Sequence, residues 1–246
     1  FFCYLSFNAP HTPLQVPEKY YKMYKDLDPE LGFKGESLAL KMSKKDKEDA
    51  RRIYGMVTNI DDNVGKVLNK LTELGIEEDT IIIFMTDNGP QQFRYNSNMK
   101  GLKGTVYNGG TRVPFYIKYA GKFKNSKVIN RMSAHIDVLP TILELCNLNV
   151  PNDRKIDGQS LVPLINSKTF NDRYLFSYWT RRFPEKYINM SIQNDNYKLV
   201  GNNDFDSKIE EFELYDLVED PNENNNIISQ NIELAKSFKI EMDNSI

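Results

Sequence analysis

The stretch whose reading decides the fold is Ile81-Ile82-Ile83-Phe84-Met85-Thr86-Asp87-Asn88-Gly89-Pro90. Its first five residues are apolar without alternation, the composition of a central parallel strand covered on both faces. The run then breaks into Thr, Asp, Asn, Gly and Pro, the residues of a tight polar loop. Upstream, Ser43-x-x-Asp46 has the form of a capping box. Ile53, Met56, Val57, Ile60, Val64, Val67, Leu68, Leu71 and Leu74 follow at spacings of three and four and stop before Gly75. That spacing predicts one long amphipathic helix closed by a glycine. Helix, turn, buried strand and polar loop make one α/β crossover unit, and sheets of this kind place ligands beyond the carboxyl ends of their strands. Asp87 and Asn88 therefore stand where chemistry is expected.

Toward the N-terminus, Phe1 to Phe7 is aromatic and β-prone, and it ends in Asn8-Ala9-Pro10-His11-Thr12-Pro13. This predicts a strand delivering His11 at its carboxyl end. Residues 14 to 41 carry Lys, Tyr and Pro without periodicity and read as a surface excursion with short helical turns. Beyond the deciding stretch, a glycine-rich segment from Asn96 to Pro114 leads into the β-prone run Val113 to Tyr119. Asp137 is the expected N-cap of a helix reaching Cys146, with Pro140 in its first turn. A short apolar segment, Leu161 to Ile165, precedes a change of texture. Tyr174 to Tyr178, Tyr187 to Gln193, Tyr197 to Val200 and Glu213 to Leu217 alternate with Asn/Asp turns and predict a small antiparallel sheet. A final helix is expected from about Gln230 to Met242.

Composition narrows the class. With 40% hydrophobic and 27% charged residues and a net charge of −2, the 246-residue chain has the make-up of a folded domain. The 32 basic and 34 acidic side chains give no basic footprint for nucleic acid. Cys3 and Cys146 fit neither a disulfide framework nor a zinc cluster. No run approaches the roughly 20 apolar residues of a membrane span. The first residue is Phe and the chain opens inside an apparent buried strand, so the expectation is a piece of a longer protein.

Four polar positions fall at strand ends or in the glycine-rich loop: His11, Asp87, Asn88 and Lys103. Adjacent Asp and Asn offer two hard oxygen donors for Ca²⁺ or Mg²⁺. A histidine and a lysine nearby suit a tetrahedral oxyanion and a proton donor for a leaving oxygen. Singly, each has a plainer reading. Asp-Asn-Gly is an ordinary turn, and a histidine after a strand is usually a loop residue. Gly101 to Gly110 matches neither nucleotide-loop pattern. His135, Arg112 and Asp137 read as loop or cap residues, and Asn189-Met190-Ser191 is a sequon by pattern only.

The conjunction is specific. Asn8-Ala9-Pro10-His11-Thr12-Pro13, Phe84-Met85-Thr86-Asp87-Asn88-Gly89-Pro90 and the run Lys100-Gly101-Leu102-Lys103-Gly104-Thr105-Val106-Tyr107-Asn108-Gly109-Gly110-Thr111-Arg112-Val113-Pro114 resemble, in order and spacing, the central and later motifs of type I sulfatases. His135-Ile136-Asp137-Val138-Leu139-Pro140-Thr141, Asp157-Gly158-Gln159-Ser160-Leu161 and Glu213-Leu214-Tyr215-Asp216-Leu217 with Asp220-Pro221 and Glu223 resemble later landmarks of that family. Asn108 departs from the family's usual Glu before the paired glycines, which bears on loop anchoring.

The resemblance implies an α/β, alkaline-phosphatase-like sandwich, here partial, with a smaller C-terminal antiparallel sheet and helix. The expected boundary separates residues 1 to 170, catalytic, from 171 to 246. It further implies hydrolysis of sulfate esters of a small molecule or glycan, calcium (or magnesium) held by Asp87 and Asn88, Lys103 on the sulfate, and His11 at the sulfate or leaving-group oxygen. The family's nucleophile is a formylglycine made from Cys in a C-x-[PA]-x-R context. Neither Cys3 nor Cys146 has that context, so the nucleophile is expected upstream of Phe1 and the 246 residues alone are expected to be inactive. Periplasmic or secretory location is the family's habit. Two other readings stand beside this one: a phosphodiesterase or phosphonate monoester hydrolase on the same fold, and an inactive sulfatase-like binding protein.

Overall fold

A computed structural model describes residues 1–33, 42–124 and 126–246. The chain divides into two compact units, the first made of Phe1–Lys124 with Trp179–Arg181 and Asn222–Asn224, the second of the remaining described residues.

The first unit is organised by a 30-residue helix. Helix α1 is the single turn Glu18–Tyr21, and α2 spans Lys44–Glu73. The capping box forms as the sequence predicts: Ser43 Oγ accepts the Asp46 N–H at 3.1 Å, and Asp46 Oδ2 accepts the Ser43 N–H at 3.0 Å. At the other end Gly75 takes φ +67°, the left-handed turn that closes a helix without a Cβ penalty. Burial is concentrated in the first half, at Ala50, Ile53, Gly55 and Met56, whereas Val67 and Leu74 are exposed. The tyrosines of the preceding excursion hold it to α2. Tyr20 is buried and donates to Asp62 at 2.7 Å, and Tyr21 donates to Glu48 at 3.0 Å. Gly55 admits the α1 backbone, since a Cβ there would lie 3.1 Å from the Tyr20 carbonyl oxygen. Part of the excursion, residues 34 to 41, lies outside the described residues.

After α2 the chain enters strand β1, Ile82–Met85, which pairs with β2, Phe115–Lys118. The pairing is antiparallel, with Ile82 opposite Lys118 and Met85 opposite Phe115. This corrects the expectation of a parallel neighbour. An unbroken apolar run specifies a strand with two apolar faces but carries no information on the direction of its partner. Phe1 to Phe7, expected as another strand, has no strand assignment, and Phe1 is 93% exposed. A β-prone segment becomes a strand only when another edge takes up its backbone groups, and no described segment pairs with this one.

The second unit contains an antiparallel meander of strands β3 (Leu175–Tyr178), β4 (Met190–Gln193), β5 (Tyr197–Gly201) and β6 (Glu213–Asp216), in the order β3-β4-β5-β6. The register sets Ile192 opposite Leu199 and Leu199 opposite Leu214. These side chains form one apolar face with Met190, against which the final helix, Ile232–Ser245, lays Ala235, Phe238 and Met242. The expected strands and helix are found within a few residues of their expected positions. Asp137 does precede a helix, Val138–Leu145, but its side chain does not cap it. The buried carboxylate instead accepts the Ala134 and Gln159 N–H groups at 2.7 and 2.9 Å and the Arg173 guanidinium at 2.7 and 2.5 Å. Two backbone segments and one cation thereby meet at a single carboxylate. Among the described residues no helix is long and apolar enough to cross a membrane.

Candidate active site

The polar loop after β1 begins with local bonds. Asp87 Oδ1 accepts the Asn88 N–H at 2.8 Å, and Asn88 Nδ2 donates to the Gly89 carbonyl at 2.9 Å. Two longer-range bonds then fix this loop to the glycine-rich segment. The Gly89 N–H donates to the Gly110 carbonyl at 2.9 Å, and the Lys103 N–H donates to the Pro90 carbonyl at 2.8 Å. Asp87 and Asn88 are thus bracketed against the loop that carries Lys103. Gly89 is required there: a Cβ on it would sit 1.8 Å from the Gly109 carbonyl oxygen.

Glycine recurs in the second loop for the same reason. Gly101 and Gly104 both have φ +85°. A Cβ on Gly109 would lie 2.1 Å from the Gly101 carbonyl oxygen, and one on Gly110 would lie 2.3 Å from that of Thr105. The loop closes on itself through Gly109 N–H to Lys100 O at 2.7 Å and Thr105 N–H to Leu102 O at 3.1 Å. It ends in the one-turn helix α3, Asn108–Thr111. The backbone there is anchored by Glu223, whose buried carboxylate accepts the Asn108 N–H at 2.6 Å. The Lys100 N–H likewise donates to the Asn222 carbonyl at 3.1 Å.

His11 belongs to the same compact unit and is exposed. Its N–H donates to Asn8 O at 2.9 Å, and Nδ1 lies 2.8 Å from the Thr12 carbonyl oxygen. The segments carrying Asp87, Asn88 and Lys103 are therefore tied together by named bonds, and among the described residues the bonds of His11 are to its own loop.

The donor chemistry of Asp87 and Asn88 suits a hard cation, and Asp87 is exposed. A calcium ion takes about 6–8 oxygens, so these two residues alone would fill only part of such a coordination shell. Among the described residues no group of three or more His, Cys, Asp or Glu forms a further ligand cluster.

Three neighbours carry no pattern that reading along the sequence singles out. Arg94, in the loop between the two site segments, has its guanidinium pushed down by burial, offset by the nearby Tyr54. Trp179 lies against Gly104, and Arg181 lies over the Trp179 ring with Cζ 5.6 Å from its centroid. The Trp179–Gly104 contact joins positions 75 apart in the chain, so no local motif announces it.

Two family models match the chain. Sulfatase covers residues 1–148, and "N-sulphoglucosamine sulphohydrolase, C-terminal" covers residues 102–245. The chain belongs to the sulfatase family. It is 30% identical over 254 residues to the arylsulfatase of Clostridium perfringens, covering 93% of this chain and 49% of that protein. It is also 30% identical to the N-acetylglucosamine-6-O-sulfatase of Bacteroides thetaiotaomicron, covering 92% of this chain and 40% of that protein. The crystal structure of yidJ from Bacteroides fragilis superposes with a TM-score of 0.77 at 26% identity, over 95% of this chain and 51% of that one. The phosphonate monoester hydrolase of Agrobacterium radiobacter gives 0.66 at 21% identity, over 96% and 54%. The chain spans about half the length of the relatives it matches. The alkaline-phosphatase-like α/β fold expected from the motifs is the fold of these neighbours.

Proposed function

We propose that the full-length protein containing this chain is a sulfuric ester hydrolase acting on a sulfated sugar or sulfated small molecule. The observation that carries the reading is the pair of backbone bonds, Gly89 to Gly110 and Lys103 to Pro90, that brackets Asp87 and Asn88 against the Lys103 loop. Asp87 and Asn88 would hold a divalent cation, calcium in the first instance, which when bound supplies positive charge to the sulfate oxygens. Lys103 contributes its own charge to the transferring group and orients it. His11 assists departure of the leaving oxygen by holding or delivering a proton. The nucleophile, a formylglycine, lies upstream, and the compartment is periplasmic or secretory. A phosphonate monoester hydrolase is the second reading, because a protein of that activity shares the fold.

The test is release of sulfate from 4-nitrophenyl sulfate by the full-length protein, beside release of phosphonate from a phenyl phosphonate ester. Sulfate turnover that falls about 100-fold or more in Asp87→Ala and Lys103→Ala, with loss on chelation, supports the reading. Preference for the phosphonate ester gives the second one. Turnover of neither ester overturns both.

A further inference from the structure

Trp179 is the single tryptophan of the sequence. It immediately follows β3, yet Trp179–Arg181 cluster with the unit that holds the candidate active site. Its ring lies flat enough on Gly104 that a Cβ there would meet Cζ2 at 3.3 Å and both Cε2 and Cη2 at 3.4 Å. Gly104 directly follows Lys103 and has φ +85°, so the ring rests on the turn that presents the lysine. The indole nevertheless remains 42% exposed. Arg181 is exposed, and its guanidinium lies over the same ring at 5.6 Å.

An isolated surface aromatic needs no explanation. A tryptophan seated on the turn of the lysine proposed above to contact sulfate, with a cation held over it, has the composition of a ligand-orienting wall: broad apolar area with a few fixed polar groups. Sugar rings present a C–H face that packs on an indole, and acidic sugars add an anion for a guanidinium.

Resting on the sulfatase reading above, we infer that Trp179 and Arg181 form a leaving-group subsite beside Lys103, selecting a sulfated saccharide that carries a second acidic group. Trp179 supplies the stacking surface and Arg181 the contact to the second anion.

The full-length protein is assayed on 4-nitrophenyl sulfate, on a neutral monosulfated disaccharide and on a monosulfated disaccharide containing a uronic acid. The inference expects Trp179→Ala to lower kcat/KM for both disaccharides about tenfold more than for inhibition by inorganic sulfate measured as 1/Ki, through KM, with Trp179→Phe restoring most of the loss. Arg181→Ala should erase the preference for the acidic disaccharide over the neutral one. If wild type hydrolyses the saccharides and Trp179→Phe, Trp179→Ala and Arg181→Ala leave their order and KM values alone, the inference fails while the sulfatase reading stands. If wild type turns over no sulfate ester, both fail together.

Discussion

The backbone N–H of Asn108 donates to Oε2 of Glu223 at 2.6 Å across 115 positions of sequence, in an environment closed to water. A carboxylate from the C-terminal half of the chain therefore holds the start of α3, directly after the loop that presents Lys103. Removing one partner of a buried pair leaves the other unsatisfied, at about 1–3 kcal/mol. Glu223→Ala should lower the melting temperature and also the sulfate turnover proposed for the full-length protein, whereas Glu223→Gln, which keeps an acceptor oxygen, should lose less of both. Equal losses in the two variants would show that the acceptor is not what matters.

Gly109 offers a test of loop geometry. An alanine methyl would start 2.1 Å from the Gly101 oxygen and 2.5 Å from that of Lys100, backbone atoms that cannot rotate away. Gly109→Ala should force the Lys103 turn to move, and displacements of about 1 Å in a positioned group can cost about 100-fold in rate. Folding is checked by circular dichroism beside the rate. A folded variant with unaltered sulfate turnover would mean that the loop tolerates opening.

Ser43 tests the long helix. Both halves of its capping box are formed with Asp46. Ser43→Ala should destabilise by about 1 kcal/mol, and Ser43→Asp by little or nothing. Urea denaturation of both variants, read as a midpoint shift at constant slope, decides the point.

Acid sensitivity follows from Glu77, in the turn between α2 and β1. Its carboxylate accepts Lys118 Nζ at 2.5 Å and the Thr72 hydroxyl at 2.6 Å, and these bonds, the lysine's foremost, hold its pKa below the ordinary 4.5. A carboxyl depressed by folding adds stability that is complete above its unfolded value and is lost as pH falls through the folded one. Lys118→Met should make the melting temperature fall less steeply between about pH 5 and about pH 3 than it does in wild type. Parallel curves would remove this pair from the acid response.

How much of this was legible beforehand differs from element to element. Helix α2 announces itself because cap, apolar spacing and terminal glycine agree over more than thirty positions. The four-strand meander is legible because each aromatic run is cut by Asn or Asp turns, and turn chemistry is local. Direction is not local: Ile82 to Met85 says strand, and its antiparallel mate is set by where the glycine-rich loop returns the chain. The Asp137 carboxylate, expected to cap a helix, instead accepts the Ala134 and Gln159 N–H groups and the Arg173 guanidinium, and the residue three positions on, Pro140, has no N–H to offer it. The candidate site was legible as types and order at Asp87, Asn88 and Lys103. Trp179, Arg181 and Arg94 were not, since their relevance comes from tertiary approach alone.

Gly89 and Gly109 meet backbone to backbone, with no side chain between them. Two loops in such contact behave as one mechanical part, because neither can be lengthened, recoloured or exchanged without the other. Laboratory or natural diversification of this scaffold is thereby channelled outward, to segments that lean on the fused pair without belonging to it.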